Sequence, residues 1–169
     1  MALLAFFRSD IPGFANASLL DTAATIGVRE TRRIVGEYTL TLGDLQNGRQ
    51  FEDVVALCGY PVDIHDPTGS GGGTADAPPT ANTYEIPYRV LVPRDVDDLL
   101  VAGRAVSATH EALGAIRVMP PCFAMGEAAG NAAAMSLKAG CAPRAISVPE
   151  LQDRLRDRNC YLGNGLSKA

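Results

Sequence analysis

The chain has 169 residues, of which 47% are hydrophobic and 20% charged, so it is long and apolar enough to bury the core of one domain. Its 17 glycines and 11 prolines argue against a plain helical bundle. The net charge of −4 argues against a nucleic-acid or anionic-membrane surface, and no stretch is hydrophobic enough for a membrane span, so we expect a cytoplasmic globular protein.

The first half of the chain predicts short elements separated by turns. Residues 3–8 have the pattern of the last turns of a helix, and a turn follows at residues 10–13 (DIPG). Hydrophobic alternation over residues 34–42 (IVGEYTLTL) predicts a half-buried strand. Residues 51–57 (FEDVVAL) predict a short helix, and residues 60–65 return to extended structure.

The middle of the chain combines a predicted loop with two predicted strands. Residues 68–82 (TGSGGGTADAPPTAN) have the composition of a flexible hairpin connection, with a functional lid as the alternative. Residues 84–92 (YEIPYRVLV) alternate again, and Pro87 indicates an edge strand or an interrupted one. The apolar run of residues 99–102 (LLVA) predicts a strand buried on both faces.

The last third of the chain predicts helices. Residues 107–116 are compatible with a short helix. A long helix rich in Ala and Gly opens at Pro120 and runs to about Ala139, where Gly140 ends it. Residues 149–158 predict an amphipathic helix.

The cysteines point to reduced thiols rather than to a metal or disulfide framework. They are Cys58, Cys122, Cys141 and Cys160, and none sits in a CxxC pair. Only two histidines could join them as ligands, so we predict no metal site. A chain of this size does not need disulfides to be stable.

The sequence contains no familiar nucleotide-binding loop. No strand–GxGxxG–helix unit and no Walker A motif occurs, and the glycine-rich residues 69–73 precede no apolar helix. Any nucleotide contact must therefore use a different element. The long helix offers one, because small residues recur every four positions along it, at Cys122, Gly126, Gly130 and Ala134. This stripe permits close approach of a flat ligand, with tight packing on a sheet as the structural alternative.

The start of the long helix has features of an anion site. Proline at the first helical position leaves free N–H groups and the positive end of the helix dipole facing outward. Such an end suits an anion or an electron-rich carbonyl, and Arg117 lies just before it.

Two long runs carry a resemblance to a known family. Residues 99–140 (LLVAGRAVSATHEALGAIRVMPPCFAMGEAAGNAAAMSLKAG) resemble the C-terminal, cofactor-closing segment of a bacterial family of FAD-dependent oxidoreductases. Residues 26–65 (IGVRETRRIVGEYTLTLGDLQNGRQFEDVVALCGYPVDIH) resemble the region that precedes it, and the match extends from about Leu3 to Tyr161.

The resemblance implies a mixed α+β or α/β fold. A β-rich substrate-side segment, about residues 30–92, would precede the closing strand and helices of a Rossmann-like FAD-binding domain, about residues 95–160. The ADP-binding half with GxGxxG would be missing, so the whole sequence would be a single C-terminal fragment that binds FAD weakly or not at all by itself. An expression fragment, a truncated gene and a split enzyme completed by another chain all remain open.

The resemblance also implies a set of cofactor-binding positions. They are Gly103, Arg104, His110, Arg117, Val118, Met119, Pro120 and Gly126. The first two would lie by the pyrophosphate or ribityl chain, where related flavoproteins often have an acidic residue in place of the arginine. His110 and Arg117 would lie near the isoalloxazine, with the next three residues as a backbone wall. Gly126 and Gly130 would allow close packing on the cofactor domain.

The RETRR motif of residues 29–33 supplies candidate substrate contacts. Such a charge run is usually a solvated face, but its place in the resemblance favours a role for Arg32 or Arg33 in holding a substrate carboxylate. One of the two could instead pair with Glu30 or Glu37.

His110 is the candidate for proton transfer. His65 precedes an Asp-Pro turn and is explained by a turn hydrogen bond, whereas His110 lies inside the motif that resembles a flavin-proximal segment. Cys122 at a helix start has no evident partner base, so we interpret it as a packing residue. A thiol enzyme would need His110 within hydrogen-bonding distance of its sulfur.

We therefore expect the C-terminal part of an oxidoreductase that transfers a hydride between FAD and a small substrate, with catalysis by His110, Arg32 and Arg33. The alternative is a non-catalytic module that self-associates or binds a partner chain, such as an N-terminal FAD-binding chain.

Overall fold

The computed structural model describes residues 2–64 and 83–163. Within these residues the fold is a mixed α+β arrangement of five α-helices and one two-stranded antiparallel sheet. The predicted loop of residues 68–82 and His65 lie outside the described residues. The helices and strands in chain order are α1 (Ala2–Asp10), α2 (Leu42–Gln46), β1 (Val54–Cys58), β2 (Tyr84–Pro87), α3 (His110–Ile116), α4 (Met119–Ala139) and α5 (Val148–Asp157).

The sheet includes a segment that the sequence predicts to be helical. The predicted helix over residues 51–57 is wrong, because β1 pairs with β2 from Val54 opposite Pro87 to Cys58 opposite Tyr84, with a bulge between Val54 and Ala56. The first three residues of β1 are all buried. A strand covered on both faces shows no alternation, so its apolar run is ambiguous between helix and strand.

The segment of residues 34–42 is extended but does not form the predicted continuous strand. Over residues 34–40 its burial alternates as predicted, with Leu40 fully buried and Thr39 exposed, whereas Leu42 is already the first residue of α2. Its two bridges run to different segments, from Gly36 to Pro93 and from Leu40 to Ala108. Because the partner changes along the segment, no regular ladder develops.

The predicted buried strand over residues 99–102 is also wrong. Leu99 is 44% exposed, and no regular element forms at these positions. The N–H of Val101 donates to the carbonyl of Leu91, but no ladder continues from that bond. A strand buried on both faces needs neighbouring strands, and the described residues place none beside this segment. In the described part of residues 30–92, the expected β-rich character likewise reduces to two short strands.

The interruption predicted at Pro87 is confirmed. Strand β2 ends at this residue, and a 3₁₀ helix follows at Tyr88–Val90. Tyr84, Ile86 and Val90 from the predicted inward face are all buried.

The predicted C-terminal helices are confirmed. The hydroxyl of Thr109 accepts a hydrogen bond from the Ala112 N–H and caps α3. Helix α4 ends at Gly140, whose φ of 62° is the left-handed conformation that glycine adopts without strain. Ser147 caps α5 by accepting from the N–H of Glu150.

One hydrophobic cluster runs through both halves of the described chain, from Leu40 to Leu162. Helix α4 contributes an inward face at helical spacing, with Met125, Ala128, Ala132 and Met135. This face packs against β1 and α5. Helix α1, in contrast, buries none of its residues. Among residues 2–64 and 83–163, none of the helices has the combination of length and hydrophobicity that crossing a membrane requires.

Candidate functional site

The RETRR motif, residues 29–33, has no regular secondary structure. The segment that contains it lies beside residues 103–108. The guanidinium of Arg104 donates to the Val28 carbonyl at 2.6 Å, and that of Arg33 donates to the Ala108 carbonyl at 2.9 Å. The Ile34 N–H also donates to the Ala105 carbonyl at 2.9 Å. These bonds bring two segments of the chain that are about 75 residues apart into one site.

Glu30 is the centre of a charge cluster in this site. Its Oε2 lies 2.7 Å from Nδ1 of His110, and its Oε1 lies 3.3 Å from Nη1 of Arg33. Nη1 of Arg117 lies 3.8 Å from Oε2. The Glu30 side chain is only 16% exposed, so water screens these interactions less than it would on an open surface. The cluster therefore contains Arg33, His110 and Arg117, all of them predicted site residues.

His110 is the first residue of α3, and its side chain is 53% exposed. Nδ1 is engaged by Glu30, whereas no side chain or carbonyl among residues 2–64 and 83–163 contacts Nε2 at hydrogen-bonding distance. The neighbouring carboxyl of Glu111 has a lowered pKa, chiefly because its own backbone N–H donates to it. Because the side chain is half exposed and Nε2 has no such contact, this nitrogen is available to a ligand.

Arg117 is held by protein groups on two sides. Its guanidinium donates to the Asp63 carbonyl at 2.5 Å and faces Glu30, and its side chain is only 9% exposed. Asp63 in turn pairs with Arg29 at 3.3 Å. These contacts give Arg117 a structural role in joining the end of α3 to the first half of the chain.

A groove with excess positive charge lies beside the Glu30 cluster. Its volume is about 420 Å³. It is lined by Val28, Arg29, Glu30, Thr31, Arg32, Ala102, Arg104 and Ala105. Within the described part of the chain, neither Arg32 nor Arg104 has a carboxylate partner. Two such guanidinium groups fit the phosphate oxygens of a nucleotide or the carboxylate of a small substrate.

The backbone around Arg104 fits close approach by a ligand. Gly103 has a φ of +79°, a conformation that side chains rarely adopt, and it opens a 3₁₀ helix at Gly103–Ala105. A Cβ at this position would lie 3.9 Å from Sγ of Cys122, the fourth residue of α4. The predicted Gly-Arg pair and the start of α4 are therefore neighbours.

The start of α4 offers fewer free amides than the sequence led us to expect. The helix begins at Met119, and Pro120 and Pro121 follow, neither of which has an N–H. The N–H of Cys122 already donates to the carbonyl of Val118. The positive end of the helix dipole remains, but of the first three helical residues only Met119 has an amide to offer.

Cys122 is not arranged as a nucleophile. Its Sγ lies 3.8 Å from the Ile116 carbonyl and makes no contact of hydrogen-bonding length with His110. Burial raises the pKa of this thiol, although the nearby Arg104 acts in the opposite direction. The arrangement required for a thiol enzyme is therefore not present among the described residues.

One face of α4 has no cover within the described chain. A Cβ added at Gly126 or Gly130 would meet no atom within 4 Å. Large apolar side chains flank these glycines on the exposed side, with Met119 and Phe123 each 71% exposed and Leu137 83% exposed. We call this surface, from Met119 to Leu137, the open face of α4.

The sequence interpretation missed the central place of Glu30 and the part played by Arg29. Pairing of Arg33 with Glu30 was one of its alternatives and is observed. A signal was present, because a glutamate between arginines in RETRR can neutralise only some of them. The contact of Glu30 with His110 joins residues 80 positions apart and has no local signature.

Comparison with known proteins identifies the family. A family model described as FAD dependent oxidoreductase matches residues 1–155. No curated protein and no solved structure gives a significant match. FAD is the cofactor that this family uses. The match covers most of the sequence, including all the candidate site residues, and the chain belongs to the FAD-dependent oxidoreductase family.

Proposed function

We propose that this chain forms the isoalloxazine and ribityl side of the FAD site in a bacterial, cytoplasmic oxidoreductase that acts on a small substrate. The observation that carries the proposal is the convergence of Arg32, Arg104 and His110 around one short segment of a chain that belongs to an FAD-using family. FAD, when bound, supplies the hydride acceptor or donor. The four free cysteines are consistent with a reducing compartment.

Arg104 is the residue we assign to the pyrophosphate or ribityl chain. It lies in the groove without a carboxylate partner among the described residues, next to a glycine whose backbone conformation allows close approach. Val118, Met119 and Pro120 would face the ring, where the helix dipole stabilises negative charge.

Arg32 is the better candidate of the two arginines for binding an anionic substrate. Arg33 is already engaged by Glu30 and by the Ala108 carbonyl, whereas Arg32 is exposed at the groove and has no polar partner within the described residues. His110 would accept or release, at Nε2, the proton that accompanies hydride transfer.

The open face of α4 supports the need for a second structural unit. Glycine in a helix interior costs about 1 kcal/mol relative to alanine, and nothing described in this chain requires Gly126 or Gly130. Close approach by another backbone would explain both residues. The unit we propose there is the GxGxxG-bearing, ADP-binding part, which would belong either to a longer form of this chain or to a partner chain.

The exposed apolar side chains of the same face favour one other function. Phe123 and Leu137 could serve self-association or binding of a protein partner without catalysis. In that case the chain would be an assembly module that retains the family's motifs.

Flavin reconstitution tests the proposal. The purified chain is mixed with FAD in the presence and absence of a GxGxxG-bearing unit from the same organism, and the visible flavin spectrum and FAD affinity are recorded. We expect protein-bound flavin only in the three-component mixture. In that mixture Arg104→Ala should weaken FAD binding about tenfold, which corresponds to about 1.4 kcal/mol.

Arg154→Ala is the matched control, since Arg154 is an exposed arginine of α5 with no ion pair among the described residues. This variant should bind FAD like the parent chain. Tight, stoichiometric binding of FAD to the chain alone would contradict the need for a second unit. A tight dimer that never binds flavin in any mixture would favour the assembly module.

A further inference from the structure

The imidazole of His110 has a fixed orientation because a partly buried carboxylate contacts one of its nitrogens. Nδ1 lies 2.7 Å from Oε2 of Glu30, a distance typical of a strong hydrogen bond. A neutral imidazole has one protonated and one unprotonated nitrogen, and a carboxylate can only accept. The proton of neutral His110 must then be on Nδ1, which leaves the lone pair on Nε2.

We propose that Glu30 is a positioning residue for His110. It fixes the ring in the Nδ1–H tautomer and leaves Nε2 with a lone pair and no hydrogen-bond partner among the described residues. The consequence for proton transfer rests on the function proposed above, whereas the tautomer itself does not.

The two arginines around Glu30 contact different oxygens of its carboxylate. Arg33 faces Oε1 at 3.3 Å, and Arg117 approaches Oε2 at 3.8 Å from the end of α3. With two cations on the same carboxylate, the group cannot rotate away from His110 without losing an ion pair. Glu111 is the other carboxylate beside the ring, and it makes no hydrogen bond to it.

A purely structural role for Glu30 makes a different prediction. If Glu30 served only to tie Arg33 and Arg117 together, the tautomer of His110 would not depend on it. The state of the His110 ring therefore distinguishes positioning from simple clamping, and a stability measurement alone would not.

Imidazole ¹⁵N NMR tests the inference directly. The chain has two histidines, so His65→Asn leaves a single ring to observe. At alkaline pH, where the ring is neutral, we expect Nδ1 to carry the proton and Nε2 to have the shift of an unprotonated nitrogen. Predominance of the Nε2–H form in this otherwise unchanged chain would overturn the proposal, whatever any other variant does.

Substitutions at Glu30 extend the test. Glu30→Ala should lose the preference for Nδ1–H, whereas Glu30→Gln, whose amide oxygen can still accept from Nδ1, should retain it. Glu111→Ala is the control carboxylate and should leave the tautomer unchanged. An unchanged tautomer in a folded Glu30→Ala chain would contradict the proposal.

Activity provides a separate readout in the reconstituted, FAD-loaded enzyme. Glu30→Ala should lower kcat at least about tenfold, and it should add little to the loss caused by His110→Ala, because both changes remove the same proton transfer. Observing the expected tautomer without flavin reconstitution would reject the proposed function and retain the role of Glu30. Flavin turnover by an enzyme whose neutral His110 is in the Nε2–H form would retain the proposed function and reject the role of Glu30.

Discussion

The carboxylate of Asp53 accepts three hydrogen bonds from Arg89. Oδ2 accepts from the backbone N–H at 3.1 Å and from Nε at 2.9 Å, and Oδ1 accepts from Nη2 at 3.1 Å. The pKa of Arg89 is raised chiefly because the Arg89 side chain donates hydrogen bonds to Asp53. Because Asp53 directly precedes β1 and Arg89 follows β2, the pair ties the open end of the sheet together.

Removing the Asp53 charge should destabilise the fold. Asp53→Asn weakens two contacts to the guanidinium, and we expect the free energy of unfolding to fall by about 1–3 kcal/mol. Urea denaturation of the purified chain measures this change. Asp157→Asn, at an exposed position at the end of α5, should change it by less than about 0.5 kcal/mol. Equal effects of the two substitutions on the free energy of unfolding would contradict a stabilising role for the Asp53–Arg89 pair.

A second stability prediction concerns the close contact between Gly36 and Ser107, which lies in the segment of residues 103–108 beside the candidate site. A Cβ at Gly36 would lie 2.7 Å from the Cβ of Ser107 and 3.0 Å from two carbonyl oxygens. Backbone cannot yield as a flexible side chain can, so Gly36→Ala should cost about 1–3 kcal/mol of unfolding free energy. The measurement is thermal or urea denaturation.

Gly27→Ala is the control for Gly36→Ala, because a Cβ at Gly27 meets nothing within 4 Å. It should leave stability unchanged or raise it slightly, since alanine lowers the entropy of the unfolded chain. A Gly36→Ala chain as stable as the parent would mean that residues 34–42 can move away from Ser107.

The C-terminal helices were predictable from sequence because their signals are local. A proline near the start and a glycine after the end define α4, and the small residues between them suit its close packing. The strand β1 was not predictable in this way, since burial on both faces removed the alternation that distinguishes strand from helix. Residues 99–102 form a similar apolar run that predicted a buried strand, but the chain has no regular secondary structure there.

The candidate site was predictable only in its parts. The RETRR motif and His110 could each be singled out by their chemistry, but their meeting at Glu30 depends on how two distant segments pack. The scarcity of free amides at the start of α4 could be predicted from the sequence, because Pro120 and Pro121 lie in the first turn whether the helix begins at Met119 or at Pro120.

The pH dependence of stability should contain a contribution from Asp44. Burial alone would raise the pKa of this carboxyl, but hydrogen bonds from Thr41, Tyr38 and Arg49 bring the pKa below its usual value. A lowered pKa in the folded state contributes stability above the unfolded-state pKa of about 3.9, and that stability is lost as the pH falls through the folded-state pKa. Asp44→Asn should therefore lower the urea midpoint at neutral pH. Below about pH 4, the midpoint of this variant should decrease less with falling pH than that of the parent chain.

Glu85→Gln is the control of opposite sign. Burial raises the pKa of Glu85, with Asp53 adding to the effect, although the Phe51 N–H donates to the carboxylate. A raised pKa contributes stability that is full below the unfolded-state pKa and is lost as the pH rises through the folded-state pKa. Glu85→Gln should remove that loss and raise the urea midpoint at neutral pH. A midpoint that falls in both variants would contradict these assignments.

The open face of α4 predicts that one substitution will stabilise the chain and yet abolish flavin reconstitution. Gly126→Leu places a good helix former where a Cβ meets no described atom, so the chain alone should gain about 0.5–1 kcal/mol of unfolding free energy. In the mixture with a GxGxxG-bearing unit, the same side chain should keep the two backbones apart and prevent flavin binding. Ala139→Leu places the same side chain at the exposed end of α4 and should leave reconstitution unchanged. Normal flavin binding by Gly126→Leu would remove this face from the proposed interface, whereas loss of binding in both variants would show that added bulk acts without regard to position.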